Sequence, residues 1–539
     1  MRRGGAAVIQ RSGNGGVRKA MRLFSHGARS IAAVVALALG GCVVGPDFSA
    51  PSVPPVSGFL PASASKDLEK PQAVKFNPGA RLAGDWWQVF GSKRLNELIE
   101  LGMAHNADIE AAEAALRVAE YNSLAIRGSF WPTVQGNWSS SRQLTPDRTL
   151  TSNHAKGKSV YSLHTPQVTV TYVADVFGGV RRQVEAAEAQ VEVQQFQREA
   201  VVLTLTSNIA LAAIQLASFE GQITATRRLI ALQSQLLDTL KRQHAAGQIA
   251  LPDVLAQETA VAQGKLLLPP LERQFDQQRH LIAVLTGRFP AEAGKEVFKL
   301  ASFRMPRNVP VSLPADFVQQ RPDIKVAEAN LKQANAQLGV AMAARLPQIT
   351  LSGNGGNTAD AIGKLFLPST WVYLVAGTVA QSIFDGNTLK NRQAAAEATF
   401  NQLTAQYRGV VLVAFQNVAD VLRAIEADAK LVVAAREAEQ AAERSLTLVR
   451  QQVEQGQVSL PALLTAQQAY LQTSLARVQA EASRLADIVA LYQALGGGWW
   501  NRKGHDDDDH GERHPELYTS VHHSPWRSVV EKARARFDH

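Results

Sequence analysis

The chain has 539 residues, of which 19% are charged and 6% aromatic, and its formal net charge is +9 at pH 7. Seven basic residues and no acidic residue precede Ser30, so the rest of the chain carries only +2 and gives no reason to expect nucleic-acid binding. The single cysteine, Cys42, excludes disulfides within the chain and metal sites built from several cysteines.

Residues 1–41 are predicted to be a lipoprotein signal peptide. A basic stretch precedes an apolar run, 31–39, that is too short to span a bilayer, and Leu39-Gly40-Gly41-Cys42 follows. Small residues before a cysteine match the bacterial lipobox, where cleavage frees the cysteine for acylation. We expect Cys42 to carry a diacylglycerol group and a palmitate-type N-acyl chain, an unmodified thiol being the alternative. Met21 is an alternative start codon.

Residues 42–84 are predicted to be an extended tether. The stretch from Gly45 to Pro78, with Pro78 included, has seven prolines and little periodicity. The first periodic stretch follows Trp86-Trp87, a pair that we expect to pack in a core.

Residues 85–300 are predicted to form the first of two similar repeats. A helix at about 95–130 gives way to alternating apolar and polar residues, which predict strands at about 133–145 and 165–177. In the second repeat, Gly353-Asn354-Gly355-Gly356 is predicted to be a loop after a strand.

A proline-free stretch, 181–246, predicts a helix roughly 100 Å long at ~1.5 Å per residue. A glycine turn at 247–252 leads to a helix at 252–286, in which Pro269-Pro270 should produce a kink.

Residues 301–500 are predicted to repeat this order of elements. The hexapeptide Gly247-Gln248-Ile249-Ala250-Leu251-Pro252 returns 209 residues later as Gly456-Gln457-Val458-Ser459-Leu460-Pro461. The predicted elements of the second repeat are strands at about 348–354 and 371–383, a long helix at about 390–455, a turn at 456–461 and a last helix with a coiled-coil seam.

The four predicted strands place apolar and aromatic residues on one face, a pattern typical of strands that contact lipid. In the last strand Trp371, Tyr373, Val375 and Val379 share a face. Four strands cannot close a transmembrane barrel and open edges are not tolerated in lipid, so the chain must oligomerise. A trimer is favoured over a dimer because a larger barrel leaves a lumen. A soluble β-sandwich is the alternative.

Several motifs resemble the outer-membrane factors of bacterial tripartite efflux pumps, the TolC-like outer membrane efflux proteins, and within them the NodT-type lipoproteins that serve RND (resistance-nodulation-division) pumps. The motifs, spread over residues 42–500, are Cys42-Val43-Val44-Gly45-Pro46-Asp47-Phe48, Trp86-Trp87, Asp175-Val176-Phe177-Gly178, Arg321-Pro322-Asp323-Ile324, Phe384-Asp385-Gly386 and Ala494-Leu495-Gly496-Gly497-Gly498-Trp499. The resemblance implies a homotrimer with a 12-stranded outer-membrane β-barrel, continued by a 12-helix α-barrel in the periplasm.

The function that the resemblance implies is passive export of small molecules such as drugs or toxic compounds. They would arrive from a periplasmic adaptor (membrane fusion protein) and an inner-membrane RND-type pump. The alternatives are the duct of a type I protein secretion system and a coiled-coil scaffold, which would not explain the strands. No Walker, Gly-x-Ser-x-Gly or His-Glu-x-x-His motif indicates an enzyme, and no cofactor or metal is expected.

The two glycine turns are the candidate tips for adaptor contact, because small residues allow a close backbone approach. Simple turn chemistry is the alternative reading. The candidate contact residues are Gly247, Gln248, Ile249, Leu251, Gly456, Gln457, Val458 and Leu460.

Relatives narrow the closed tip with acidic residues just after these turns, which makes Asp253, Ala462, Leu463, Leu464 and Thr465 the candidate gate. Only Asp253 is acidic. Three Asp253 carboxylates in a ring would attract cations, whereas a single one would only complement the positive end of a helix. Closure by Leu463 or Leu464 is the apolar alternative.

Residues 501–539 depart from the family pattern and are predicted to be a disordered tail. The run His505-Asp506-Asp507-Asp508-Asp509-His510 and His514 would hold a divalent metal only weakly.

Overall fold

A computed structural model describes residues 43–52, 56, 58–60, 75–145, 159–294, 297–306, 308–311 and 314–502. The chain divides into two compact units, each discontinuous in sequence. The first comprises Met1–Ser49, Glu120–Gln190 and Asn330–Leu403, and the second comprises Ala50–Ala119, Val191–Ala329 and Thr404–His539. The predicted signal peptide, Cys42 and positions 503–539 of the predicted tail lie outside the described residues.

The described chain is mainly helical with a small β part, in agreement with the predicted fold class. The helices are α1 Lys93–His105, α2 Ala107–Arg127, α3 Gly179–Ala245, α4 Leu251–Leu266, α5 Leu268–Leu285, α6 Pro314–Gln320, α7 Pro322–Ala343, α8 Thr388–Glu454 and α9 Leu460–Ala494. The strands are β1 Lys75–Pro78, β2 Thr133–Thr145, β3 Ser159–Ala174, β4 Asn308–Val311, β5 Gln348–Asn357 and β6 Trp371–Ala380.

The first unit holds a four-stranded antiparallel sheet in the order β2-β3-β5-β6. Its register places Gly136, Val168, Gly355 and Tyr373 in one row across the four strands. Since side chains alternate between faces, every second row shares this face. Most of its residues are apolar or glycine: Val134, Gly136, Trp138, Val168, Val170, Tyr172, Ile349, Leu351, Gly353, Gly355, Trp371, Tyr373, Val375 and Val379. Polar residues on the same face are Ser140, Arg142, Ser162, His164 and Asn357.

The opposite face of the sheet is polar in three of the four strands. Its residues there include Thr133, Gln135, Asn137, Gln167, Thr169, Thr171, Thr350, Ser352 and Asn354. The apolar face has little cover within the chain, since the side chains of Tyr373 and Val375 are 76% and 81% exposed. A sheet with these two faces suits a boundary between lipid and water.

The strand bounds differ in part from those predicted. β3 begins at Ser159, six residues before the predicted start, and ends at Ala174, while β6 ends at Ala380. β5 continues through the glycine-rich stretch that was predicted to be a loop. Glycine permits this, because a Cβ at Gly355 would lie 3.3 Å from the Trp371 ring and one at Gly356 would lie 2.2 Å from the Pro166 carbonyl oxygen.

The second unit is built around a long apolar core. Trp86 is 1% exposed and stacks on Tyr492 with ring centroids 5.3 Å apart, so the core position expected for the tryptophan pair is confirmed. Burial raises the pKa of the Tyr492 hydroxyl to about 12. Helix α3 contains an apolar stretch long enough to cross a membrane, but 61% of that stretch is buried inside the protein, as expected of a core helix.

Parts of the predicted tether are docked. Phe59 packs against Phe317 and Phe415, with ring centroids 5.1 and 5.4 Å away. Further along, β1 pairs in parallel with β4. The proline content indicated that these residues form no separate domain. The aromatic contacts of Phe59, which hold the segment in place, were not predicted.

Helices α3 and α8 have 67 residues each, which corresponds to about 100 Å at ~1.5 Å per residue. The predicted kink near Pro269-Pro270 is confirmed, because α4 ends at Leu266 and α5 begins at Leu268. The predicted helix at 95–130 is interrupted at Asn106, whose Oδ1 accepts the N–H of Asp108 at 2.9 Å and so caps α2.

Candidate functional site

The two glycine turns of the second unit have the same backbone geometry. The φ angles of Gly247 and Gly456 are 74° and 71°, in the left-handed region that favours glycine. The N–H of Gly247 bonds to the His244 carbonyl at 2.9 Å and that of Gln248 to the Gln243 carbonyl at 2.9 Å. The turn at Gly456 repeats both bonds, at 3.0 and 2.8 Å. Both are Schellman motifs, in which one glycine ends a helix and reverses the chain.

The predicted contact residues differ in exposure. Those on the surface are Gly247, Gln248, Gly456 and Gln457, while Ile249 and Val458 are half-buried. Leu251 is 50% exposed, but Leu460, at the equivalent place in the second turn, is only 7% exposed. Leu460 is therefore a packing residue in this chain, which corrects its prediction as a surface contact.

A hydrophobic cluster joins the two turns. We call it the tip cluster, and its buried members are Leu237, Leu240, Val254, Val261, Leu460 and Leu463. They come from α3, α4 and α9, and half-buried residues of α8 pack against them. Since each buried leucine contributes about 1.5–3 kcal/mol, the cluster holds the four helix ends together.

The predicted gate residues take different positions around this cluster. Leu463 is 2% exposed inside it, so its side chain is not available to close a passage within this chain, whereas Leu464 is half-buried. Asp253 is half-buried and is the acidic residue of the first turn of α4. Thr465 is exposed, and its hydroxyl donates to the Pro461 carbonyl at 3.0 Å. Ala462 is half-buried and has no polar side chain to contribute.

A layer of buried glutamines involves the same helices. Gln233 Nε2 donates to Gln467 Oε1 at 3.1 Å, and Gln257 Nε2 donates to the Gln233 carbonyl at 2.9 Å. In the described part of the chain, the Oε1 atoms of Gln233 and Gln257 have no hydrogen-bond partner. Unpaired buried oxygens cost free energy, so this layer weakens the packing of α3 against α4. Glutamines at core positions of a helix were the available sequence signal.

Two carboxyl groups meet between α8 and α9. Burial raises the pKa of Asp487 to about 7, and the negative charge of Asp428 and a hydrogen bond to it add to the shift. Among the residues that the structure describes, one Asp487 oxygen, Oδ2, is buried without a partner. This pair was not predicted from the sequence, because its members lie 59 positions apart and meet only through helix packing.

The outer strands of the sheet have open edges. Within the described residues, β2 pairs only with β3 and β6 pairs only with β5. The other edge of each strand therefore offers backbone N–H and C=O groups to a further strand.

The sequence profile of the family described as Outer membrane efflux protein matches residues 98–288 and 313–497. The chain belongs to this family. It is 28% identical over 451 residues to the pyoverdine export outer membrane protein OpmQ of Pseudomonas putida, covering 83% of this chain and 94% of that protein. It is also 28% identical over 473 residues to the antibiotic efflux pump outer membrane protein ArpC of Pseudomonas putida, covering 88% and 96%.

The relatives include a protein of the predicted NodT type. The chain is 28% identical over 477 residues to nodulation protein T of Rhizobium leguminosarum bv. trifolii, covering 86% of this chain and 96% of that one. Its fold matches the outer-membrane channel OprN with a TM-score of 0.77 at 24% identity, covering 85% of this chain and 100% of OprN. This efflux protein is thus an outer-membrane protein with a TolC-like channel fold.

Proposed function

We propose that this efflux protein acts as a homotrimeric duct in which three four-stranded sheets close a 12-stranded barrel. The open edges of β2 and β6 carry the proposal, because neither is tolerated in lipid unless another strand covers it. An isologous dimer would pair β2 with β2 and β6 with β6. A ring instead pairs β6 of one copy with β2 of the next, and three copies leave a lumen lined by the polar face.

Exposed apolar residues on α8 support the same assembly. Leu412 and Val413 are 71% and 54% exposed, and Leu431, Val433 and Leu448 are between 50% and 56% exposed. Large apolar side chains that stay exposed on a long helix favour contact with another helix over contact with water. We infer that the helices of three copies form the 12-helix α-barrel, with each chain supplying two copies of the structural repeat.

The exposed parts of the glycine turns are the proposed contact sites for an adaptor protein, which would link the duct to an inner-membrane RND-type pump. Leu251 and Gln248 are the side chains that a partner reaches on the first turn. Asp253 remains the proposed polar gate residue, and Leu464 is a better candidate than Leu463 for apolar closure.

A lipid anchor on Cys42 is part of the proposal, with the acyl chains entering the same membrane as the sheet. The substrate class proposed is small molecules, in line with the names of the antibiotic and pyoverdine relatives. The duct of a type I protein secretion system is the second candidate, because it would use the same open-edged sheet.

Two measurements on the purified, acylated protein test this function. Native mass spectrometry should give three chains per particle, and planar bilayers should show small, cation-preferring openings. In Asp253→Ala these openings should enlarge or lose their cation preference. A trimer without conductance would refute the duct, and trimeric conductance unchanged by Asp253→Ala would remove that residue from the gate.

A further inference from the structure

The segment that follows Cys42 lies in a slot on the first unit. We call Val43–Asp47 the strap. The Val44 N–H donates to the Phe177 carbonyl at 3.1 Å, three residues after the end of β3. Further along, the Pro46 carbonyl accepts a hydrogen bond of 2.8 Å from Asn335 Nδ2 on α7. Backbone groups of the strap are therefore bonded to two separate parts of the unit.

Arg182, in the first turns of α3, binds the strap at several points. Its Nε donates to the Val44 carbonyl at 3.3 Å, and its Nη2 donates to the Gly45 carbonyl at 3.0 Å and to Asp47 Oδ1 at 2.9 Å. Nη1 donates to Glu185 Oε2 at 2.7 Å. Burial opposes the charge of Arg182, but the hydrogen bonds and charges of Glu185 and Asp47 outweigh it and raise its pKa.

The carbonyl bonds matter more than the ion pair with Asp47. The Arg182 side chain is 4% exposed, whereas that of Asp47 is 94% exposed, and a pair screened by water contributes little. A buried guanidinium that lost its carbonyl partners would be left with unpaired donors, which is costly. The planar fork of arginine reaches several acceptors at once, and a lysine would not.

Three glycines make the slot deep enough for a backbone. A Cβ at Gly45 would lie 2.8 Å from the Cα of Gly339, and a Cβ at Gly339 would lie 2.8 Å from Cγ of Arg182. A Cβ at Gly178 would lie 2.9 Å from Cγ1 of Val43. Strap, α7 and Arg182 are thus stacked with no room for side chains between them.

We propose that the slot is the docking site of the strap and that Arg182 is its positioning residue, holding the lipid attachment point beside the end of β3. The part concerning lipid rests on the proposed acylation of Cys42. The acyl chains and the apolar face of the sheet then enter the membrane at one level. A lipid on a free tether would not impose that level.

Hydrogen exchange of the full-length protein in detergent tests the docking. In the wild type, the Val44 amide, which donates to the Phe177 carbonyl, should be protected, and in Arg182→Ala and Gly45→Leu it should exchange about tenfold faster. Gly45→Leu changes only the strap, so it decides the matter if Arg182→Ala unfolds the unit. Arg127→Ala, an exposed arginine paired with Glu188, and Ser49→Leu are matched controls that should keep the protection. A Val44 amide that exchanges freely in the wild type, or its protection kept in both test variants, would overturn the docking.

Assembly in the outer membrane tests the positioning. Arg182→Ala should lower the amount of assembled oligomer in the acylated chain, with partial recovery in Arg182→Lys. In a Cys42→Ser chain exported by a cleavable signal, Arg182→Ala should cause no further loss, because no lipid remains to be positioned. Equal losses in both backgrounds would make Arg182 merely structural. The mass of the N-terminal peptide reports acylation separately, so failure of the lipid anchor is distinguishable from failure of the slot.

Discussion

Two segments of the second unit begin with the same turn and end at the same distance from it, yet they differ in burial. The first segment, 247–285, contains α4 and α5, and the second, 456–494, contains α9. The helical part of each begins and ends 209 residues from its counterpart. In the first segment the helix is interrupted at Leu267, whereas in the second it is continuous. A shared turn thus fixes where a helix starts but not how it packs.

The difference in packing follows from the residues that face the core. Helix α9 buries residues along its whole length, from Leu460 to Ala494. The first segment buries few residues and leaves Leu266 and Leu267 72% and 44% exposed. We infer that α9 is the more firmly packed of the two segments, while the exposed leucines of the first segment are the side chains that a partner can reach.

The largest contrast is expected at the first leucine of each segment. Leu460→Ala should lower the free energy of unfolding by about 2–5 kcal/mol, because it leaves a cavity in the tip cluster. The matched change Leu251→Ala, at a half-exposed site, should cost less than ~1 kcal/mol. Denaturant titration of both variants measures the difference. Equal losses would mean that the two segments contribute alike.

The turns themselves should respond equally. Gly247→Ala and Gly456→Ala should each cost roughly 1–2 kcal/mol, since a Cβ at either position meets no atom within 4 Å and only the left-handed backbone is strained. The corresponding asparagine variants, which tolerate this conformation, should lose less. Melting temperatures of the four variants provide the check, and a clear difference between the two turns would show that their surroundings are not equivalent.

A smaller gain is expected from the glutamine layer. Gln257→Leu removes an unpaired buried oxygen together with one hydrogen bond, and position 466 of the second segment has Ala in the same place. Stability should rise by about 1 kcal/mol, because the desolvation cost exceeds the net value of the bond. If the variant is destabilised instead, the layer contributes more to packing than its unpaired atoms cost.

A further effect concerns pH, and it belongs to the second segment only, since position 278 of the first has Gln where α9 has Asp487. The folded-state pKa of Asp487 is about 7, above the ordinary 3.8, so folding favours the protonated form. Its stabilising effect is complete below pH 3.8 and is lost as pH rises through 7. Asp487→Asn should flatten this dependence in melting curves between pH 5 and pH 8. An unchanged slope would assign it to another group.

Much of the fold follows from local signals. Gly247, Gly456 and Pro269-Pro270 act through backbone conformation, which a sequence displays directly, and the turns and the kink lie where they were expected. Strand β2 occupies the range that its alternation indicated, Thr133–Thr145.

Other features depend on partners distant in sequence. The burial of Leu460 and the exposure of Leu251 could not be distinguished, because the same hexapeptide pattern surrounds both. Gly355 was predicted to lie in a loop, because the sequence does not show that the Trp371 ring lies against it in the sheet. The slot that holds the strap is formed in part by Arg182 and Gly339, which lie far from residue 45 along the chain. In each case tertiary packing decided what local propensity left open.

The uncovered sheet has a consequence for the newly made chain. Before the proposed trimer forms, each molecule carries an apolar face in water and, within the described residues, two strand edges without a partner, which is the arrangement that templates aggregation. The yield of this protein therefore depends on how well this surface is shielded before the chain reaches the membrane and on how fast the chain inserts there. These steps add to the stability of the folded protein.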